Sequence, residues 1–275
     1  MPELPEVETT RRGIEPHIVN KAVTGLDVRQ SKLRWPVPDD LEFNLVGRTL
    51  LAVKRRAKYL LLEFEHGHLL IHLGMSGSLR VVDGHATVGK HDHVDIRFQS
   101  DSGAEVIIRY NDPRRFGAIL WIDDIANSSH LNHLGPEPLS EAFSGGLLHR
   151  KAQRRSVAVK QFIMDNKVVV GVGNIYANEA LFLSGIHPTV SVAKLGKVRF
   201  NRLAENIKRV LAKAIEQGGT TLKDFVGGDG KPGYFQQQLM VYGRANQACY
   251  QCGSCLKELK MQGRTTVYCS KCQKN

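Results

Sequence analysis

The sequence predicts an α+β protein with three parts: an antiparallel β-domain, a helical domain and a small metal-binding module. A strand-rich segment runs from about residue 20 to 125, apolar residues recur at helical intervals from about 157 to 217, and all five cysteines lie between 249 and 272. Short β-rich runs separated by turn residues are typical of antiparallel sheets, whereas apolar residues every three or four positions are typical of helices. At 275 residues the chain is long enough for more than one buried core.

The N-terminal residues predict a helix and contain a candidate nucleophile. Pro5 suits the first turn of a helix, and apolar residues follow it at helical spacing. Removal of Met1 would give Pro2 a free secondary amine, which titrates below a lysine amine and can add to a sugar aldehyde carbon to form an iminium. Glu3 would lie beside this amine as an acid or base. Taken alone, these residues are explained as simply by a helix whose dipole favours carboxylates at its start.

Six runs between residues 58 and 122 are predicted as strands, and their regular spacing indicates an antiparallel sandwich or barrel. The predicted strands are 58–64, 68–73, 78–82, 93–98, 105–110 and 118–122. Two prolines in the stretch 133–139 interrupt the pattern, so a linker is expected there.

Three helices are predicted beyond this linker, at 157–164, 175–184 and 199–217. Asn174 is expected to cap the second of them. The free N–H groups at such a helix end can bind an anion such as a DNA phosphate, although a cap without a ligand is an equally good interpretation. A glycine-rich stretch, 218–233, follows the third helix and is expected to be a mobile loop.

The cysteine pattern predicts a structural zinc site. Cys249 and Cys252 form one C-x-x-C pair, Cys269 and Cys272 form another, and 16 residues separate the two pairs. This spacing is typical of four thiolates around one Zn²⁺. Pairing Cys252 with Cys255 would leave 13 residues, which is short for such a site, so Cys255 is not expected to be a ligand. Because all four positions would be filled, the metal would hold a hairpin rigid and take no part in chemistry.

The charge of the chain predicts a polyanionic partner. Thirty-eight Lys and Arg against 27 Asp and Glu give a formal net charge of +11. Such an excess favours nucleic acid as the partner. No apolar run approaches the roughly 18 residues of a membrane-spanning helix, and the acidic start of the chain lacks the features of a signal peptide. We therefore expect a soluble, intracellular protein.

Seven motifs occur in order from one end of the chain to the other. They are PELPEVET at 2–9, RRAKY at 55–59, HLGMSG at 72–77, KHDHVD at 90–95, DPRRFG at 112–117, VGNIYA at 172–177 and the four-cysteine finger. Together they resemble bacterial formamidopyrimidine-DNA glycosylase. The resemblance implies an N-terminal β-sandwich domain at 1–132, a helix-two-turn-helix domain at 133–233 with a loop at about 218–233 over the damaged base, and a zinc finger at 234–275. It also implies that a cleft between the halves holds the DNA.

The resemblance implies excision of oxidised purines, 8-oxoguanine and formamidopyrimidines, from duplex DNA, followed by cleavage of the abasic site. Pro2 would attack C1′ of the damaged nucleotide, and the resulting iminium would allow β- and δ-elimination. Glu3 would act as acid and base in opening the sugar ring, and Lys58 would serve the elimination steps. Without the family, Lys58 would be interpreted as a lysine extending from a strand end to solvent.

Further residues match the family's contacts with DNA. Met75 and Phe116 would enter the duplex as apolar wedges, and Arg114 would read the cytosine opposite the lesion; by spacing alone, Phe116 would be assigned to the core. Phosphate contacts are implied for His91, Arg155, Asn174 and Arg264. Arg264 can form a bidentate phosphate contact and is also expected among the catalytic residues. The resemblance also implies one structural Zn²⁺ per chain, a monomeric protein and a location at the bacterial nucleoid.

Two other functions stay open. An endonuclease VIII-like glycosylase for oxidised pyrimidines shares the N-terminal proline, but its relatives begin Pro-Glu-Gly-Pro-Glu, whereas Leu4 stands in the middle here. A non-catalytic, zinc-dependent DNA-damage-binding protein would have no need of the pair Pro2 and Glu3.

Overall fold

The computed structural model describes residues 2–99, 103, 105–218 and 239–275, and the chain divides into two compact units. The N-terminal unit contains the residues up to Asn132. The C-terminal unit contains His133–Gln217 and the described residues from 239 onward. Apart from its first residue, the glycine-rich stretch 218–233 lies outside the described residues.

The first helix, α1 (Leu4–Ile18), begins where the sequence predicts it. Glu3 is the N-cap residue, and its backbone N–H donates to Glu6 Oε2 at 2.8 Å, which satisfies one of the open donors at the helix start. Val7 and Ile14 on one side of α1 are at most 1% exposed and belong to the core of the unit. The helix contacts strands of both sheets, so its first residues are fixed by the packing of the whole unit.

Eight strands and a short helix complete the N-terminal unit. In chain order they are β1 (Val23–Val28), α2 (Leu41–Leu45), β2 (Ala52–Arg56), β3 (Tyr59–Phe64), β4 (Gly67–His72), β5 (Ser78–Asp83), β6 (Asp92–Phe98), β7 (Val106–Asn111) and β8 (Ala118–Ile122). They form two antiparallel four-stranded sheets, with the orders β1-β6-β7-β5 and β2-β3-β4-β8. Two separate sheets around one apolar core make a β-sandwich, and the barrel alternative is wrong.

The six predicted strands are confirmed with ends that differ by at most one residue, whereas β1, β2 and α2 are not predicted. In β1, Gly25 interrupts the β-rich pattern. Its missing side chain leaves room for the Arg97 guanidinium, because a Cβ there would lie 2.5 Å from Arg97 Nη2. Charged side chains dominate β2, and Lys54 Nζ on it forms an ion pair at 2.5 Å with Glu63 of β3.

The C-terminal unit contains four α-helices and a β-hairpin among its described residues. They are α3 (Gly145–Ala152), α4 (Val159–Met164), α5 (Asn174–Ser184), α6 (Lys197–Glu216), β9 (Lys257–Met261) and β10 (Arg264–Tyr268). The three predicted helices are confirmed as α4, α5 and α6. Helix α3 is not predicted; it begins at the Ser144 cap, whose hydroxyl accepts the Leu147 N–H at 3.2 Å. None of the helices in the described part of the chain has the length and apolar character needed to cross a bilayer.

Candidate functional site

The predicted nucleophile and its acid partner lie at the start of α1. Pro2 and Glu3 are both buried, and only 2% of the Glu3 surface is exposed. Glu6, one turn further, is fully buried. Two carboxyl groups and a proline are thus largely removed from bulk water within one helical turn.

A buried carboxylate joins this helix to the turn that carries Lys58. Glu8 accepts hydrogen bonds from arginines of its own helix and from Arg55 Nε of β2 at 3.0 Å. Arg55 Nη1 in turn donates to the Ala57 carbonyl at 3.0 Å. Ala57 and Lys58 form the two-residue turn between β2 and β3, and Ala57 has a φ of 54°, a strained value for a residue other than glycine. The Glu8–Arg55 pair therefore fixes where Lys58 lies relative to α1.

At acid pH the free energy of unfolding is expected to depend on protonation of Glu8. Burial raises the pKa of Glu8, but hydrogen bonds and charges from Arg11, Arg12 and Arg55 lower it more, so its folded pKa is below the ordinary value. A depressed folded pKa means that stability is fully present above the unfolded pKa and is lost as the pH falls through the folded pKa. Urea unfolding from about pH 6 to pH 3 should show this loss. In Glu8→Gln the decline should be shallower, and an equal decline in variant and wild type would contradict the assignment.

The Lys58 turn also lies beside the start of the Met75 loop, because Tyr59 pairs with His72 across β3 and β4. Burial, and then the charge of Lys58, lower the pKa of His72 to about 4. The imidazole is therefore neutral near pH 7, and its Nδ1 accepts the Gly74 N–H at 3.1 Å. This bond defines the first residues of the loop 73–77, which carries Met75.

Two loops of the N-terminal unit expose apolar side chains. Met75, in the loop 73–77, is 41% exposed, and Phe116, in the loop 112–117, is 46% exposed. Phe116 is therefore not a core residue. The Arg114 guanidinium lies 4.9 Å from the centre of the Phe116 ring, and both side chains belong to the same loop. Exposed apolar groups beside a guanidinium are suited to contact stacked bases.

His91 lies just before β6 and is hydrogen-bonded to one of these loops. Its side chain is half-buried, and its carbonyl accepts the Asp112 N–H at 3.0 Å. The structure thereby links His91 to the loop that carries Arg114 and Phe116.

Asn174 is not the N-cap of α5, so that prediction is wrong. Gly173 occupies the cap position, and Asn174 is the first helical residue. Its side chain instead accepts from Lys160 Nζ at 2.6 Å and donates to the Thr265 carbonyl of β10 at 3.0 Å. Asn174 is therefore bonded to the residue that follows Arg264, which is exposed at the first position of β10.

Lys160 is a buried ammonium group that joins three elements of the C-terminal unit. It lies on α4, is 2% exposed, and also donates to Thr266 Oγ1 of β10 at 2.7 Å. Helix α5 makes a further bond to the hairpin, because Asn178 Oδ1 accepts the Val267 N–H at 3.0 Å. A buried charge is tolerated where polar partners surround it, and here those partners are the residues around Asn174 and Arg264.

Lys160→Met is expected to lower the free energy of unfolding of the C-terminal unit by about 2–4 kcal/mol, because Asn174 Oδ1 and Thr266 Oγ1 lose a buried donor. Affinity for duplex DNA should fall with it. Urea unfolding and fluorescence anisotropy measure the two effects. Lys213→Met is the matched control, since it removes one positive charge from an exposed position on α6. Equal stability of the two variants would contradict the role of Lys160.

A second buried carboxylate anchors the segment that leads into the hairpin. Glu179 on α5 is 5% exposed, and its oxygens accept the backbone N–H groups of Met240, Val241 and Tyr242 at 2.7–2.9 Å. Val241 then packs in a small core with residues of the cysteine module. The module is thus attached to α5 by both polar and apolar contacts.

The four predicted cysteine ligands lie together. The Sγ atoms of Cys249, Cys252, Cys269 and Cys272 are all within 4.8 Å of one another, with 3.9 Å from Cys249 to Cys272 and 3.4 Å from Cys252 to Cys269. A tetrahedral Zn²⁺ with bonds of about 2.3 Å requires sulfur atoms about 3.8 Å apart. The donor set therefore fits a four-thiolate metal site. Cys255 lies outside this cluster, with its Sγ 3.7 Å from the Leu256 carbonyl.

Arg155 follows α3 in a basic run at 150–155, in which Arg150, Arg154 and Arg155 are exposed. Its guanidinium lies 3.6 Å from the Asp165 carboxylate and 5.7 Å from the centre of the Phe162 ring. These contacts hold the guanidinium near the second half of α4 and the residue that follows it, and 43% of the Arg155 side chain stays exposed.

Several residues that organise the site have no role in the sequence prediction. They are Glu8, His72, Asp112, Lys160 and Glu179, and all except His72 have a side-chain partner far away in the chain. The signal that could have found Lys160 is a charged residue among the apolar residues of a helix: Val159, Phe162 and Ile163 beside it are all buried. No comparable signal marks Glu8, because its region of α1 is rich in charge.

Two family models match the chain. The formamidopyrimidine-DNA glycosylase N-terminal domain matches residues 1–119, and the formamidopyrimidine-DNA glycosylase H2TH domain matches residues 134–226. Curated relatives with the name formamidopyrimidine-DNA glycosylase include one from Stutzerimonas stutzeri, 58% identical over 274 residues, and one from Saccharophagus degradans, 58% identical over 275 residues. In both comparisons 100% of each chain is covered.

Solved structures with the same fold contain damaged DNA. The Fpg of Lactococcus lactis in complex with DNA containing an abasic site has a TM-score of 0.90 and is 32% identical. A MutM structure in complex with DNA containing carbocyclic 8-oxo-G has a TM-score of 0.88 and is 33% identical. Each comparison covers 100% of both chains.

Proposed function

Because the chain belongs to the formamidopyrimidine-DNA glycosylase family, we propose that this DNA glycosylase excises oxidised purines from duplex DNA with Pro2 as the nucleophile. The observation that carries the assignment to Pro2 is the buried pair Pro2 and Glu3 at the start of α1, tied through Glu8 and Arg55 to the turn of Lys58. Its relatives are bacterial proteins, so the proposed place of action is the DNA of the bacterial nucleoid.

The reaction begins with extrusion of the damaged nucleotide. Taking a base out of the stack costs a few kcal/mol, and inserted side chains offset this cost by filling the space. Met75 and Phe116 are assigned to this step because both are apolar and about half exposed. Arg114, beside the Phe116 ring, is assigned to the base opposite the lesion, and a guanidinium is suited to the acceptor atoms of cytosine.

The chemical steps follow at C1′. The Pro2 nitrogen forms a bond to C1′, the bond to the base breaks, and the base leaves with a proton. Opening of the sugar ring, with Glu3 moving the proton, converts the adduct to an iminium. Loss of a proton at C2′ then expels the 3′ phosphate by β-elimination, and a second loss of a proton expels the 5′ phosphate by δ-elimination. Lys58 is assigned to these eliminations.

The C-terminal unit is proposed to bind the DNA backbone. Arg155, Asn174 and Arg264 supply donors to phosphates, as His91 does in the N-terminal unit. Zn²⁺ is the metal that we propose for the four thiolates; its role is to keep the hairpin folded so that Arg264 is presented at its turn. A monomer is sufficient for this arrangement. Because much of the affinity is electrostatic, it should fall steeply with salt.

Borohydride trapping tests the proposal. A duplex with one 8-oxoguanine opposite cytosine is compared with an otherwise identical duplex that contains an oxidised pyrimidine. A covalent adduct on the purine lesion, mapped by mass spectrometry to Pro2, supports nucleophile, reaction and substrate class together. Preferential trapping on the pyrimidine would show that oxidised pyrimidines, and not oxidised purines, are the substrates. No adduct on either duplex would rule out the lyase mechanism.

A further inference from the structure

We propose that Asp112 is a positioning residue that holds Met75, Arg114 and Phe116 in a single arrangement for entry into the duplex. The inference rests on the proposed function, because it concerns the residues assigned to base extrusion. Asp112 directly follows β7 and begins the loop 112–117, and none of its surface is exposed. It touches no base in the proposed mechanism, so it would act only through the loops that it binds.

The Asp112 carboxylate binds both loops at once. Oδ1 accepts from Ser76 Oγ at 3.2 Å, directly after Met75 in the loop 73–77, and from the Arg114 N–H at 3.3 Å. Oδ2 accepts the Gly117 N–H at 2.8 Å, at the far end of the loop 112–117. Two loops that are 36 residues apart in sequence therefore share one side chain.

Three further bonds fix Asp112, one to its carboxylate and two to its backbone. Tyr110 OH, whose residue is 1% exposed, donates to Asp112 Oδ2 at 3.2 Å. The Asp112 backbone binds the segment around His91: its N–H donates to the His91 carbonyl at 3.0 Å, and its carbonyl lies 2.8 Å from His93 Nε2. Asp112 thus connects three segments that we assign to DNA contact.

The loops also lack space for independent movement. Gly74 has a φ of +65°, and a Cβ there would lie 2.5 Å from Gly117 N. A Cβ at Gly117 would overlap the Tyr110 hydroxyl. The backbones therefore pack directly on each other beside the carboxylate, so a shift of one loop requires a shift of the other.

Only a carboxylate satisfies these donors together. An ionised Asp has two acceptor oxygens and no donor, which matches four hydrogen-bond donors around it. An Asn of the same shape would direct its amide N–H groups at one side, where a hydroxyl can turn to accept but the backbone N–H of Arg114 or of Gly117 would be left without an acceptor. Asp112→Asn should therefore release one of the two loops while the size of the side chain is retained.

The proposal predicts a loss that is specific to base extrusion. A displacement of about 1 Å in a positioned group can cost about 10²-fold in rate, so Asp112→Asn should slow single-turnover excision of 8-oxoguanine from duplex DNA by about 10- to 100-fold. The preference for cytosine over adenine opposite the lesion should also decline, because Arg114 loses its position. The rise in fluorescence of 2-aminopurine placed next to the lesion, which follows extrusion, should be slower by a similar factor.

Cleavage of single-stranded DNA that contains an abasic site separates positioning from chemistry, because no base has to leave a duplex. Asp112→Asn should retain this activity within about twofold. The matched control is Asp124→Asn: Asp124 is exposed, follows β8, and accepts the Ala126 N–H at 2.8 Å in its own turn. This control should leave every readout unchanged.

A loss of single-strand cleavage equal to the loss on the duplex would overturn the proposal, as would an unchanged preference for the opposite base. If Asp112→Asn does not fold, Ser76→Ala decides, since it removes only the bond to the Met75 loop and leaves the other donors paired. A reduced preference for opposite cytosine in Ser76→Ala supports the proposal, and an unchanged preference overturns it. Failure of the wild type to excise 8-oxoguanine or to be trapped at Pro2 would instead overturn the proposed function.

Discussion

Protein that retains Met1 is expected to lose base excision by a factor on the order of 10⁴ or more, because the Pro2 nitrogen is then a tertiary amide without a nucleophilic lone pair. Binding of damaged duplex should change far less, since the side chains assigned to phosphates and bases are unaffected. The difference between binding and catalysis is what identifies the nitrogen as the nucleophile. A mere disturbance of α1 would reduce both.

A cleavable N-terminal extension gives the matched comparison. The same preparation is assayed before and after a protease removes the extension to leave Pro2 as the first residue, and mass spectrometry quantifies each form. Excision and borohydride trapping should appear only after cleavage. Full activity in protein shown to retain a residue before Pro2 would exclude the amine mechanism.

Replacement of a clustered cysteine is expected to have the second largest effect. Binding of a structural Zn²⁺ contributes on the order of 10–16 kcal/mol to the folding of such a module, so Cys269→Ser should leave the hairpin unfolded. The bonds from α5 to Thr265 and Val267 are then broken, and Arg264 is no longer held in a fixed position. With charge-assisted hydrogen bonds worth about 1.5–3 kcal/mol, affinity for duplex DNA should fall by about 10- to 100-fold.

Cys255→Ser provides the control, because Cys255 lies in the same module but outside the cluster. Metal analysis should give one equivalent of zinc in the wild type and in Cys255→Ser, and none in Cys269→Ser. Circular dichroism should show that the sandwich is retained in all three proteins. Undiminished DNA affinity in a zinc-free Cys269→Ser protein would show that the hairpin is dispensable.

The elements that the sequence predicts well are those with a local pattern. Strands β3 to β8, helices α4 to α6 and the cysteine pairs all follow from residues close together in the chain. Strands β1 and β2 are not predicted because Gly25 in β1 and a run of charged residues in β2 interrupt the alternation of apolar and polar residues. Their pairing is evident only from the partner strands.

The organisation of the site is less predictable because its polar contacts are long-range. Arg55 reaches Glu8 over 47 positions, and Lys160 reaches Thr266 over 106. Asn174 shows the consequence: as an isolated residue before a helix it suggests a cap, but a buried lysine and a distant carbonyl engage its side chain instead. Local preference gives way where tertiary partners compete for the same atoms.

The hydrogen bonds between α5 and β10 are expected to couple the affinity for a metal to the affinity for DNA. Closure of the thiolates around a bound metal would order the hairpin, and through Asn174 and Asn178 the hairpin shares its bonds with α5. If DNA binds this ordered arrangement more tightly by some factor, thermodynamic linkage requires that DNA strengthen retention of the metal by the same factor. At equilibrium a chelator should therefore be needed at higher concentration to remove the metal from the protein on its substrate than from the free protein.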